Sequence, residues 1–153
     1  IEAAYGTTLI AAGIVESFWF GIQIGDGKCV ALSKRGQFYQ PIPWDEKCFL
    51  NATTSMCDVN ALMNFRYYFS EDAPVALFLG TDGVDDSFNN EKQLYSLYET
   101  VVFSFGTKEF EEALQELSEY LPRLTQKGSG DDVSIGAILD MEKIKDVVIR
   151  KVD

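Results

Sequence analysis

Short apolar runs broken by glycine, proline and acidic residues dominate the first half of the chain. Thr8–Val15 (TLIAAGIV) and Phe18–Ile24 (FWFGIQI) flank a polar break at Glu16 and Ser17, which predicts a β-hairpin. Gly25-Asp26-Gly27 then separates the second run from Cys29–Leu32, and Asp-Gly between apolar runs is a hairpin signal. With a turn at Lys34-Arg35-Gly36 and a short strand at Gln37–Tyr39, residues 8–39 read as an antiparallel meander. From Pro41 to Asp72 the pattern loses its period. Pro41 and Pro43 disfavour helix, Asn51–Ser55 reads as a polar loop, and Phe65, Tyr67, Tyr68 and Phe69 form an aromatic cluster expected to pack in a core or under a loop. Val75–Gly80 is apolar throughout and too short for a buried helix. It predicts a strand covered on both faces, and it ends in Thr81-Asp82-Gly83 followed by Asp85 and Asp86.

The period then changes to that of a helix. Asn90 is a good N-cap with Gln93 three residues on, and Leu94, Leu97, Tyr98, Val101, Val102 and Phe105 share one face. Gly106 is expected to end this helix and Thr107 to cap the next. The second helix carries Glu109, Glu111 and Glu112 in its first turn and an apolar stripe of Phe110, Ala113, Leu114, Leu117 and Leu121, with Pro122 at or just past its end. Thr125–Asp132 (TQKGSGDD) reads as a loop and Val133–Leu139 as another buried strand. Met141–Asp146 reads as a turn or a short helix, and Val147–Val152 as a last, edge strand. Strands, two helices and a further strand make a single α/β (α+β) domain over residues 1–153, with helices packed on antiparallel sheet.

Charge and composition narrow the chemistry. The chain has 153 residues, 46% of them hydrophobic, and a net charge of −11, which argues against nucleic acid or an anionic membrane as partner. No apolar run reaches the about 18 residues that span a bilayer. The three cysteines, Cys29, Cys48 and Cys57, form no C-x-x-C pair and read as reduced thiols of a cytoplasmic protein. There is no histidine, so Ser-His and Cys-His nucleophiles and His-ligated zinc are excluded within this chain. A metal site here would be built from oxygen ligands, suiting Mg²⁺, Mn²⁺ or Ca²⁺.

Carboxylates gather at predicted strand ends. Asp131-Asp132 begins one buried strand after a Gly-Ser-Gly loop, and Asp82 ends another. If those strands pair antiparallel, Asp82 and Asp131 meet at one sheet edge, where Asp26 from its own turn can join them. Carboxylates so placed repel one another unless a cation lies between them.

Four of these segments, in this order, resemble the metal-dependent serine/threonine protein phosphatase family, type 2C, in its bacterial form. Tyr5-Gly6-Thr7-Thr8-Leu9 resembles the family's G-[ST]-T strand entry, and Gly25-Asp26-Gly27 its Gly-Asp-Ser motif. Thr81-Asp82-Gly83-Val84-Asp85-Asp86 resembles x-D-G-x-x-D, and Gly130-Asp131-Asp132-Val133-Ser134 resembles D-[ND]-x-[ST]. The resemblance implies an α-β-β-α sandwich of two antiparallel sheets flanked by helices. It implies hydrolysis of phosphoserine and phosphothreonine in a protein substrate by a water that two Mn²⁺ or Mg²⁺ ions activate. Asp82 and Asp131 would be metal ligands. Asp26 and Asp86, with Gly83 beside them, would stand behind those ligands or hold a weaker third metal, and Asp132 would orient its loop by hydrogen bonding.

The family's upstream Asp-Gly motif is missing, and with it the bridging Asp and the phosphate-binding Arg. The first residue is Ile1, so the expectation is a piece of a longer phosphatase, roughly the C-terminal two thirds of the domain, incomplete at its N-terminus. Sheet edges bared by such a truncation would favour a homodimer. Two other readings remain: a non-catalytic phosphatase-like module that binds a regulatory protein, and an unrelated acidic domain in which Asp82 and Asp131 lie far apart.

Overall fold

Among the described residues, seven strands pair into two antiparallel sheets that face each other across an apolar layer. The computed structural model describes residues 6–48 and 52–152; Tyr5 and Asn51, which begin two of the segments read above, lie outside them. Strands β1 (Leu9–Ile14), β2 (Trp19–Ile24) and β5 (Arg66–Ser70) form a three-stranded antiparallel sheet in the order β1-β2-β5. Strands β3 (Lys28–Leu32), β4 (Phe38–Tyr39), β6 (Ala76–Gly80) and β7 (Ile135–Leu139) form a four-stranded antiparallel sheet in the order β4-β3-β6-β7. Trp19, Cys29, Ala31, Ile42 and Leu77 fill the space between the sheets. The opposite faces of β3 and β6 turn Val30, Leu32, Ala76 and Phe78 towards the helices. The result is a sandwich of two antiparallel sheets flanked by helices, as the family resemblance implies.

The helices are α1 (Ala61–Asn64), α2 (Asp82–Asp85), α3 (Glu91–Thr107), α4 (Phe110–Lys127) and α5 (Met141–Val152). Asn90 caps α3 by accepting from the Gln93 amide, and all six residues of the predicted stripe are buried. Tyr98 stacks on Phe78 at a centroid distance of 4.5 Å.

Five local expectations are corrected. Residues 8–39 are not one meander: β2 and β3 do not pair, and at Gly25–Gly27 the chain crosses from one sheet to the other. Apolar runs on both sides of a turn suit a hairpin and a crossover equally, and the crossover is what lets Trp19 face Cys29 and Ala31. Gly25 has φ +103° and a Cβ there would lie 2.3 Å from the Thr8 side chain, so the glycine is required. Gly106 does not end α3, which runs through Thr107; it lets α5 approach, since a Cβ would lie 2.7 Å from Val148. Glu109, not Thr107, stands at the N-cap position of α4, its side chain making no capping bond, and α4 continues through Pro122 to Lys127, its last turn anchored by buried Leu124. Strand β7 is an exposed edge rather than a buried strand, because among the described residues only β6 flanks it and Ile138 faces solvent. Residues 147–152 belong to helix α5, not to a strand. Asp140 caps that helix through the Lys143 amide, and Ile144, Val147 and Val148 recur at helical spacing to bury against α3.

The aromatic cluster divides by strand alternation. Tyr68 of β5 points inward and packs on Trp19, while Tyr67 and Phe69 are exposed on the outer face of the three-stranded sheet.

Candidate metal centre

Three turns carry carboxylates to one edge of the sandwich, and the strand pairing puts them there. Strands β6 and β7 run antiparallel, ending at the pair Gly80↔Ile135. Beyond it the Thr81 amide donates to the Ser134 carbonyl at 3.1 Å, and the Thr81 hydroxyl donates to the Asp132 carbonyl at 3.1 Å. The turn holding Asp131 and Asp132 therefore lies against the one-turn helix α2, which starts at Asp82. The fit is close: a Cβ on Gly83 would stand 2.5 Å from the Asp132 carbonyl oxygen. On the other side of β6, Lys28 pairs with Gly80, and a Cβ on Gly27 would stand 2.7 Å from the Gly80 carbonyl oxygen. The Asp26 turn is thus the third neighbour. A cavity of about 70 Å³ opens between the sheets here, lined by Thr8, Gln23, Asp26, Gly80 and Asp82 among others.

The predicted site residues are distributed as follows. Asp82 and Asp26 are half-buried, Gly83 is buried, and Asp86, Asp131 and Asp132 are exposed. The Asp82 carboxyl is pushed above the usual carboxylate range, first by burial and then by the negative charge of Asp26, Asp131 and Asp86; its hydrogen bond from the Gly83 amide at 2.9 Å pulls the other way. The side chains converge without closing: among the described residues no three His, Cys, Asp or Glu side chains stand close enough together to hold a metal ion. Asp132 ties its loop through its carbonyl oxygen, while the Asp131 carboxylate accepts the Asp132 amide at 2.8 Å. Asp86 closes α2 by donating its amide to the Asp82 carbonyl.

The donor set fits a hard divalent cation. It is all carboxylate oxygen, it is mutually repulsive, and Mg²⁺ ordinarily takes one or two protein carboxylates and completes its shell with water and substrate phosphate.

A buried polar network escaped the sequence reading. Gln23 donates to the carbonyls of Gly25 and Gly27, Arg66 donates to the Gly25 carbonyl, and Thr54 accepts the Gly25 amide at 3.1 Å. Thr54 in turn donates to Asp45 at 2.8 Å. These bonds hold the Asp26 turn rigid from below. The one sequence signal was Gln23, a polar residue inside an apolar strand.

The family model for protein phosphatase 2C matches residues 2–122. The chain belongs to the protein phosphatase 2C family. Asp26, Asp82, Gly83 and Asp86 lie within the matched residues, and Asp131 and Asp132 beyond them. No curated protein matches the chain by sequence. Among solved structures, a C. elegans sex determining protein aligns with TM-score 0.61 and 19% identity, over 94% of this chain and 43% of that one. The Mycobacterium tuberculosis serine/threonine phosphatase PstP/Ppp aligns with TM-score 0.58 and 19% identity, over 88% of this chain and 60% of its own. The catalytic domain of PstP in complex with 2 manganese ions aligns with TM-score 0.57 and 19% identity, over 86% and 57%. The chain thus spans about half the length of the solved structures it matches. At these identities the likeness establishes the protein phosphatase 2C fold.

Proposed function

We propose that this chain carries the carboxylate edge of a metal-dependent serine/threonine protein phosphatase acting on phosphorylated protein substrates. The observation that supports the reading best is the juxtaposition of the Asp82 and Asp131 turns across the β6–β7 pair, with the Asp26 turn on the other flank. Asp82 and Asp131 would hold Mn²⁺ or Mg²⁺, and Asp26 and Asp86 would add negative charge at the rim. Bound divalent ions supply charge neutralisation to a phosphoryl group and lower the pKa of water. The chain's own residues hold the ligands in place. Thr81 bridges the two strand ends, Gly83 permits their close approach, and Gln23 and Arg66 fix the Asp26 turn. Three unpaired cysteines are in keeping with a reducing compartment, so we assign the protein to the cytoplasm. No helix among the described residues is long and apolar enough to cross a membrane.

The test is hydrolysis of a phosphothreonine peptide by this protein with Mn²⁺, beside Asp82→Asn. Phosphate release that needs Mn²⁺ and falls at least about a hundredfold in the variant is expected, as for loss of a group acting on transition-state charge. Release that Asp82→Asn leaves unchanged would overturn the assignment. Mn²⁺ binding without hydrolysis would support the metal site but not catalysis by these residues alone.

A further inference from the structure

Asp82 and Asp26 sit on supports that regular structure does not fix. Helix α2 is a single turn of four residues, too short to be stable by itself, and the Asp26 turn has left both sheets. A side-chain ion pair joins these two supports directly. Lys28 opens β3 immediately after the Asp26 turn, and Asp85 is the last residue of α2. The Lys28 Nζ stands 3.5 Å from Asp85 Oδ2, with the two side chains only 16% and 17% exposed. The Trp44 ring closes the ammonium from another side, 3.5 Å from Nζ to the ring centroid.

We propose that Lys28 and Asp85 are a positioning pair that holds the Asp26 turn and the Asp82 helix at a fixed separation. Stability alone gives little reason for such a pair. Both ions have been withdrawn from water, and Asp85 Oδ1 is buried without a hydrogen-bond partner among the described residues. Withdrawing two ions from water carries a desolvation cost that can exceed their mutual attraction. A pair that is costly to bury yet links two carboxylate-bearing turns acts on geometry. The ammonium also places a positive charge within a strongly acidic edge. The consequence for metal affinity rests on the phosphatase reading; the mechanical tie does not.

Amide exchange on the whole, metal-free protein reads the tie itself. The Gly25 amide is bonded to the Thr54 hydroxyl and the Asp86 amide to the Asp82 carbonyl, so each reports one support. Lys28→Met keeps the aliphatic stem against Trp44 and removes the charge. It is expected to speed exchange at both amides on the order of tenfold while the β3–β6 ladder keeps its protection. Lys28→Arg is expected to restore protection. Unchanged exchange at the two turns, or a rise spread evenly through the sheet, would overturn the pair. Calorimetric Mn²⁺ titration of the same variants separates this inference from the reading on which its consequence rests. An affinity loss of about tenfold in Lys28→Met, recovered in Lys28→Arg, is expected for a residue that orients ligands. If Mn²⁺ binds and Asp82→Asn abolishes it, but Lys28→Met alters neither exchange nor affinity, the pair fails and the phosphatase reading stands. If exchange responds as expected in a protein that binds no Mn²⁺, the pair stands and the metal reading fails.

Discussion

Gly83→Ala is expected to disable the carboxylate edge while leaving the helical core folded. The alanine Cβ would stand 2.5 Å from the Asp132 carbonyl oxygen and 3.1 Å from its carbon, both backbone atoms that no rotamer change can move aside. The Asp131–Asp132 turn must therefore shift away from α2, which breaks the bond from the Thr81 hydroxyl and separates Asp131 from Asp82. Overpacking of this kind costs about 1–3 kcal/mol, well within the usual stability of a domain. The expected outcome is loss of Mn²⁺ binding with near-native circular dichroism and a modest fall in the urea midpoint. Unaltered Mn²⁺ affinity would mean that the two turns need not touch for the site to work.

Phe78→Ala is expected to have the largest effect on stability, and it acts in the core rather than at the carboxylate edge. Phe78 is fully buried at the centre of β6, the strand that carries Asp82, and its ring stacks on Tyr98 of α3. Removing it deletes the stacked contact with Tyr98 and leaves a large cavity between the four-stranded sheet and α3, at about 3–5 kcal/mol. Against a total of about 5–15 kcal/mol this leaves little margin. Urea denaturation should show the drop, and a loss under about 1 kcal/mol would place the core elsewhere. The two substitutions together separate what the site needs from what the fold needs.

The proximity of the carboxylate-bearing turns was more legible in the sequence than the elements around them, for a physical reason. Turn chemistry is local, so Gly25-Asp26-Gly27, Asp82-Gly83 and Gly130-Asp131-Asp132 could be read where they stand, and one antiparallel pairing then brought Asp82 and Asp131 onto neighbouring turns. Burial is not local. Val133–Leu139 looks like a core strand, but its exposure depends on having no neighbour beyond it, which residues far away decide. Sheet membership is not local either, and the Asp26 turn reads as a hairpin until the opposing sheet is placed. Residues 147–152 show the limit of short windows: three valines in six residues favour strand, yet the helical spacing begins earlier, at Ile144. The supports of the site were the least legible part. Thr54, Arg66 and Lys28 act on turns distant in sequence, and a single chain carries no sign of that pairing.

Asp82 and Asp131 are proposed to belong to one divalent-cation site. Calorimetric titration of this protein with Mn²⁺, beside Asp82→Asn and Asp131→Asn, tests that most directly. The account predicts binding by the unaltered chain that either substitution alone abolishes. Absence of binding by the unaltered chain, or binding that survives both substitutions, would contradict it.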